Sequence, residues 1–364
     1  MRTAGFSRFV ALDEENAPEL LHRVFNEELP FDSMGIKEKT HVQSRMIAKP
    51  RVGVEALAER TIDILSQTVR CNLADAGGLV LASCFPENIQ QTAESLARKF
   101  GIRGDVRGID VACSGFTAGT ELAADIACSS GKSVVLATTE VTSRMINWDK
   151  PTGGMFRNDD AFARGKAAKI FGDASAATVV KPPAFSRDFD ILDAFAYDME
   201  DPDKLLTLTP VDYAKNIDGS IRQGRTPCIN MPGKAGAKLM KLGPVTMANA
   251  VRMSMLRALR SGQLDSSEHL CHVLHHQANG AMAKDMEKLL NAMGYGDLIV
   301  WNEIADQGNV SAASIPTALS RVQEGIDPGE IVAMPSVGAG SPGFREGWLT
   351  AGCVLARKTD PQRQ

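Results

Sequence analysis

The chain has 364 residues, 44% of them apolar, enough for an extensive core in two ordinary domains or one large duplicated unit. A formal charge of −4 with mixed signs gives no general attraction to nucleic acid or anionic membrane. No apolar run approaches the roughly 20 residues that span a bilayer, and the start lacks a secretion signal's apolar core, so a cytoplasmic protein is expected.

Strand and helix patterns alternate almost throughout, which favours α/β layers with helices covering sheets. Gly78–Ser83 reads as a strand and Glu87–Phe100 as an amphipathic helix. Val106–Val111 reads as a buried strand that runs into small residues, and these open a helix to about Cys128. Ser133–Thr139 and Asp173–Val180 supply the next strands. After Lys181-Pro182-Pro183 the cycle restarts, with a strand at Ile191–Tyr197 and a long helix or pair of helices over Lys234–Gly262. A short strand ends at His272–His275, a helix follows from about Gly280, and Ile331–Val337 and Trp348–Arg357 close the series. Two similar halves, residues 1–181 and 182–364, are expected from this element order, although no close sequence repeat is visible.

Seven cysteines, odd in number and without a C-x-x-C pair, predict neither a disulfide framework nor a metal site; most are expected to be small buried hydrophobes. Cys113 stands apart because it sits where a strand turns into a helix. Unpaired N–H groups and the helix dipole there favour thiolate over thiol, lowering a reference pKa of about 8.5 toward neutrality. In the second half, His275-His276-Gln277-Ala278-Asn279 places two histidines at a strand-to-helix turn, a pattern shared by hydrogen-bonded turns and catalysts. Asn309 follows Gly308 at the start of a small-residue helix and reads as an N-cap. Ser336 to Gly343 is a glycine-rich turn after a strand.

Four collinear segments carry a resemblance: Asp110-Val111-Ala112-Cys113-Ser114-Gly115-Phe116, Phe171-Gly172-Asp173-Ala174-Ser175-Ala176-Ala177, His276-Gln277-Ala278-Asn279, and Gly308 to Pro316. From about residue 31 onward the chain resembles the thiolase-superfamily condensing enzymes of the β-ketoacyl-acyl carrier protein synthase III group. That resemblance implies a five-layered αβαβα fold of two pseudo-repeated halves, the nucleophile in the first half, and His and Asn in the second. It further implies a homodimer acting on acyl-CoA or acyl carrier protein thioesters without a cofactor, with Cys113, His276 and Asn309 as the reactive groups. In such chemistry a Cys113 thiolate takes the primer acyl group while backbone N–H groups of Cys113 and of the Gly338–Gly340 turn hold the oxyanion. A malonyl thioester then loses CO₂, and an uncharged His276 and the Asn309 amide donate to the enolate oxygen.

His275 is expected to face away from the cleft and Asp173 to serve packing. Phe85, Met155 and Phe156 are candidates for an acyl tunnel, although each also reads as an ordinary packing residue. Typical members carry a Trp and an Arg near residues 32–39 that grip coenzyme A, and neither appears here. Lys37, Lys39 and Arg45 are the local candidates for phosphate, against the plainer reading of a solvated face. Lys284 stands where an arginine that meets the carrier protein is usual. The N-terminus lacks a recognisable glycine-rich first strand. These departures point to a specialised, secondary-metabolite-like pathway. Two other functions fit the same motifs: an acyltransferase that forms no carbon–carbon bond, and a catalytically silent partner subunit.

Overall fold

The computed structural model describes residues 4–29, 40–84, 88–148, 170–183, 185, 187–201, 203–230, 235–339 and 347–360. The first half contributes strands β1 (Gly5–Phe6), β2 (Val10–Ala11), β3 (Leu21–Phe25), β4 (Ser44–Ala48), β5 (Gly78–Ala82), β6 (Asp105–Ile109), β7 (Val134–Val141) and β8 (Asp173–Lys181). The second contributes β9 (Phe189–Glu200), β10 (Thr207–Lys215), β11 (Ile221–Asn230), β12 (His272–Val273), β13 (Ile299–Val300), β14 (Ile331–Ala339) and β15 (Trp348–Lys358). An 11-stranded sheet runs β13-β12-β14-β15-β9-β1-β8-β7-β5-β6, with β2 paired to β8.

Counted outward from the central β1–β9 pair, each half uses its strands in the order first, fifth, fourth, second, third. Pairing sense repeats as well. β5 lies parallel to β6 and β7, as β12 does to β13 and β14, while β7–β8 and β14–β15 are antiparallel. The N-terminal residues do supply a first strand, against expectation. β1 is only two residues long, too short for a sequence pattern to reveal, and it is held because both neighbours pair with it.

Helices α1 (Val54–Val69) and α2 (Ile89–Lys99) cover one outer face, α1 against β7 and β8 and α2 against β5 and β6. On the opposite outer face α4 (Ala235–Arg260) packs on β9, β14 and β15, and α5 (Gly280–Ala292) packs on α4. Enclosed between the two halves of this sheet lie α3 (Gly115–Ser130) and, after the short α6 (Ile304–Gln307), α7 (Ser314–Val322). These give the αβαβα layering. α3 touches strands of both halves, and its Phe116 joins a buried cluster with Phe6, Phe9 and Phe189 whose ring centroids are 5.0 to 6.4 Å apart. That cluster fixes the start of α3, and with it the turn carrying Cys113.

Observed strands match the alternating patterns within a few residues, but β6, expected to be buried, is the edge strand of the sheet and has no buried residue. Asn88 caps α2 by accepting from the Gln91 amide at 3.1 Å, and α4 is one helix that contains Pro244. The β10–β11 hairpin was hidden by Pro210 and Pro227, which a strand reading rejects. They lie opposite each other in a two-stranded ribbon with no further neighbour, where missing N–H donors are tolerated. No helix of the described residues is long and apolar enough to cross a membrane.

Candidate active site

Beyond β6, Ala112 takes a left-handed conformation (φ 46°), a short 3₁₀ turn spans Ala112–Ser114, and α3 begins at Gly115. Neighbouring strands brace the turn. Ser114 Oγ donates to the Thr350 carbonyl at 2.6 Å, and Ser336 Oγ lies 3.1 Å from Ser114 Oγ and 2.8 Å from Thr117 Oγ1. Gly338 on β14 passes so close that a Cβ there would sit 2.8 Å from the Cys113 amide nitrogen. Only glycine permits that approach.

Cys113 retains some exposed surface, yet its thiol is not pulled toward neutrality as its helix-start position suggests. Burial pushes it up to about 12, only partly offset by the Ser311 side chain and by its own backbone amide, while Glu140 raises it further. Loss of hydration around the sulfur outweighs the helix terminus.

The second half builds a matching turn. Ser311 is left-handed (φ 49°), a 3₁₀ turn spans Ser311–Ala313, and α7 starts at Ser314. Asn309 is pinned by its backbone, donating to the Ile170 carbonyl at 2.7 Å and accepting from the Gly172 amide at 3.0 Å. Its Oδ1 accepts from the Ser311 amide at 2.9 Å, one residue ahead of Val310, which is the cap residue of the turn, so the expected N-cap role is not the one found; the –NH₂ group remains as the side chain's donor. The His276 amide donates to the Pro335 carbonyl at 2.9 Å, while its buried ring stands against the Ser311 backbone. Burial first, and His275 second, pull His276 down to about 3, so the imidazole is uncharged at neutral pH. His275 is also buried, with Nδ1 2.7 Å from the His276 carbonyl oxygen.

The two turns touch: a Cβ on Gly115 would lie 2.7 Å from the Ala312 Cβ. Cys113, His276 and Asn309 therefore gather around Ser311, whose side chain helps hold the Cys113 thiol down, whose backbone meets the His276 ring and whose amide donates to Asn309 Oδ1. Ser311 was missed in the sequence because it reads as one more small residue in a helix start.

Cys84 and Glu140 were missed as well. Glu140 is wholly buried on β7, its carboxylate accepting from the Cys84 amide at 3.0 Å, the Ala312 amide at 3.1 Å and the Cys84 thiol at 2.9 Å. Burial raises it to about 8. An acidic residue ending the apolar run Val134-Val135-Leu136-Ala137 was the available signal.

Arg45 is corrected. It is fully buried, bonding to the Phe171 carbonyl at 3.1 Å and to Asn26 Oδ1, so it braces β4 and cannot meet a substrate phosphate. Asp173 is a brace too, accepting from the Ala48 amide at 2.7 Å and the Ser143 amide at 2.8 Å. Lys284 is exposed in the first turns of α5. Lys37, Lys39, Phe85, Met155, Phe156 and Gly340 lie outside the described residues. A cleft of about 520 Å³, lined by His22, Arg23, Lys49, Arg144, Trp148 and Asp218 among others, includes none of Cys113, His276 and Asn309. No cluster of metal-ligating side chains occurs among the described residues.

Comparison with known proteins agrees with this geometry. Residues 108–197 match the family 3-oxoacyl-[acyl-carrier-protein] synthase III, and residues 259–343 match its C-terminal family. A beta-ketoacyl-[acyl-carrier-protein] synthase III from Nitratidesulfovibrio vulgaris is 29% identical, over 84% of this chain and 87% of its own. One from Nostoc sp. is 27% identical, over 84% and 86%. The crystal structure of the Aquifex aeolicus 3-oxoacyl-[acyl-carrier-protein] synthase III superposes with a TM-score of 0.65 at 22% identity, covering 97% of this chain and 99% of that one. A tetronic acid condensing enzyme reaches a TM-score of 0.73 at 13% identity, covering 98% and 100%, which extends the likeness of fold alone. With sheet order, paired turns and both family matches in agreement, the chain is a β-ketoacyl-acyl carrier protein synthase III-like condensing enzyme of the thiolase superfamily.

Proposed function

We propose that this protein transfers an acyl group from a thioester to Cys113 and condenses it with a malonyl thioester, releasing CO₂ and a β-ketoacyl product. The observation that carries this reading is the convergence of Cys113, His276 and Asn309 on the single turn at Ser311. The Cys113 sulfur attacks the primer carbonyl, and the N–H groups of Cys113 and of the Gly338–Gly340 turn are the donors assigned to the oxyanion; Gly338 runs close past the Cys113 amide. The enolate formed on decarboxylation needs neutral donors more than a base. An uncharged His276 and the Asn309 –NH₂ group meet that need. Acyl-CoA or an acyl carrier protein delivers the thioesters, Lys284 faces the carrier, the working form is a cytoplasmic homodimer, no cofactor takes part, and the pathway is a specialised one.

The test is to weigh the Cys113 adduct after incubation with a panel of acyl thioesters and to count labelled CO₂ from a malonyl thioester. Both signals are expected. Loading without CO₂ release supports the simple acyltransferase, and no adduct with any thioester supports the silent subunit.

A further inference from the structure

Glu140 has no part in the chemistry above, yet it is an ionisable group fully buried where the two halves meet. Its contacts are specific. Oε1 accepts from the Ala312 amide at 3.1 Å and from the Cys84 amide at 3.3 Å, while Oε2 accepts from the Cys84 amide at 3.0 Å and lies 2.9 Å from Cys84 Sγ. Cys84 follows β5 in the first half and Ala312 stands in the 3₁₀ turn of the second, so one carboxyl ties the second turn to the first-half sheet.

What is tied there is a strained residue. Ser311 holds a left-handed φ of 49°, which a residue with a Cβ keeps only when its surroundings fix it. Three contacts do so: its amide donates to Asn309 Oδ1 at 2.9 Å, its hydroxyl donates to Cys84 Sγ at 3.5 Å, and the next amide, that of Ala312, donates to Glu140. Two of the three end on the Glu140–Cys84 pair, and the third ends on the side chain whose –NH₂ group is assigned to the enolate. Were the pair removed, relaxation of Ser311 would turn the Asn309 amide with it. Resting on the proposed condensation, we infer that Glu140 is a positioning residue for the decarboxylating step: by holding the Ser311–Ala312 turn through the Ala312 amide and Cys84, it keeps the Asn309 –NH₂ group aimed at the enolate oxygen.

Acylation does not share this dependence. The turn that carries Cys113 is braced by other groups, Ser114 with the Thr350 carbonyl and Ser336 with Ser114 and Thr117. Glu140 raises the Cys113 thiol, so its removal does not hinder loading. The position requires acceptor oxygen and shape, and not charge. Burial holds the carboxyl at about 8, so at neutral pH most of it is the neutral acid. A glutamine amide reproduces that acid, with one oxygen for the Ala312 and Cys84 amides and an –NH₂ group toward Cys84 Sγ.

The experiment compares wild type, Glu140→Gln, Glu140→Met, Asn309→Ala and the Glu140→Met, Asn309→Ala double variant. Single-turnover loading of Cys113 from an acyl-CoA is read by intact mass, and decarboxylation by labelled CO₂ from malonyl-CoA. Glu140→Met keeps the length of the side chain and removes both oxygens; it is expected to lower CO₂ release about tenfold or more while loading stays within about threefold of wild type. Glu140→Gln stays within about threefold in both. The double variant releases CO₂ within about twofold of Asn309→Ala alone, because Glu140 acts through Asn309. Where Glu140→Met does not fold, Glu140→Ala, which lets water reach both amides without fixing them, takes its place with the same expectation. Equal loss of loading and CO₂ release, a Gln variant as impaired as Met, or losses that multiply in the double variant overturn the positioning role, since a merely structural Glu140 gives those results. A crystal structure of Glu140→Met needs no substrate. If wild type loads but releases no CO₂, condensation fails on its own account, and the hold of Glu140 on the turn is upheld by a broken Ser311 amide to Asn309 Oδ1 bond in that variant and overturned by an intact one.

Discussion

The two halves build the same turn and use it differently. In each, the chain enters a left-handed residue, Ala112 or Ser311, makes one 3₁₀ turn and starts a central helix with its small residues pressed against the other half. In the first half that turn carries the Cys113 sulfur. In the second it presents the Ser311 hydroxyl and the amide that donates to Asn309, so the equivalent geometry yields a support for other groups. A duplicated scaffold thus supplies two helix starts at one point, and in the proposed function the side chains alone divide the work between nucleophile and donors.

The sharpest way to break this comparison is to disarm each half separately. Removing a first-half nucleophile by Cys113→Ala should abolish the covalent adduct. Removing a second-half donor by His276→Ala or Asn309→Ala should lower CO₂ release about 10²- to 10³-fold while sparing loading more. Equal loss of loading and CO₂ release in the donor variants would show that the division of labour is wrong.

Next in size is the contact between the turns. Gly115→Ala forces a methyl against Ala312 and should cost about 1–3 kcal/mol in urea unfolding, as should Gly338→Ala against the Cys113 amide. Adding Ala312→Gly to Gly115→Ala should restore most of the loss, whereas Gly338→Ala should not respond to it. No rescue would mean that the halves do not meet there.

Acid sharpens the comparison further. His275 and His276 have folded-state pKa values pulled below the ordinary 6.5, to about 4 and about 3, so the unfolded chain binds protons that the folded chain refuses. Their contribution is complete above pH 6.5 and is lost as pH falls from there toward 3. The slope of stability against pH in that window should flatten in a His275→Gln, His276→Gln double variant.

Smallest is Lys284→Ala. It should leave stability within about 0.5 kcal/mol and weaken turnover with a carrier-protein substrate only a few-fold, because an exposed charge pair is worth under about 1 kcal/mol. Turnover with the coenzyme A thioester should be unaffected.

The strand and helix patterns, the restart after Lys181 and the motifs around Cys113, His276 and Asn309 were legible because periodicity and turn chemistry are local. Arg45 was misread for a related reason: a sequence shows a basic residue but not the Asn26 and Phe171 oxygens that close over it. β1 escaped notice because two residues carry no period, and its place depends on strands β8 and β9 from far along the chain.

By itself, then, the sequence determined the alternation of elements, the family and the three residues most suited to thioester chemistry. Tertiary structure decided how those residues are tuned. Proton affinity depends on water removed and partners supplied by distant segments, so neither the thiol lifted to about 12 nor the imidazole lowered to about 3 could be read from neighbours in the chain. The same holds for Cys84, Ser311 and Glu140, which are unremarkable apart and form one hydrogen-bonded line only where the halves close on each other.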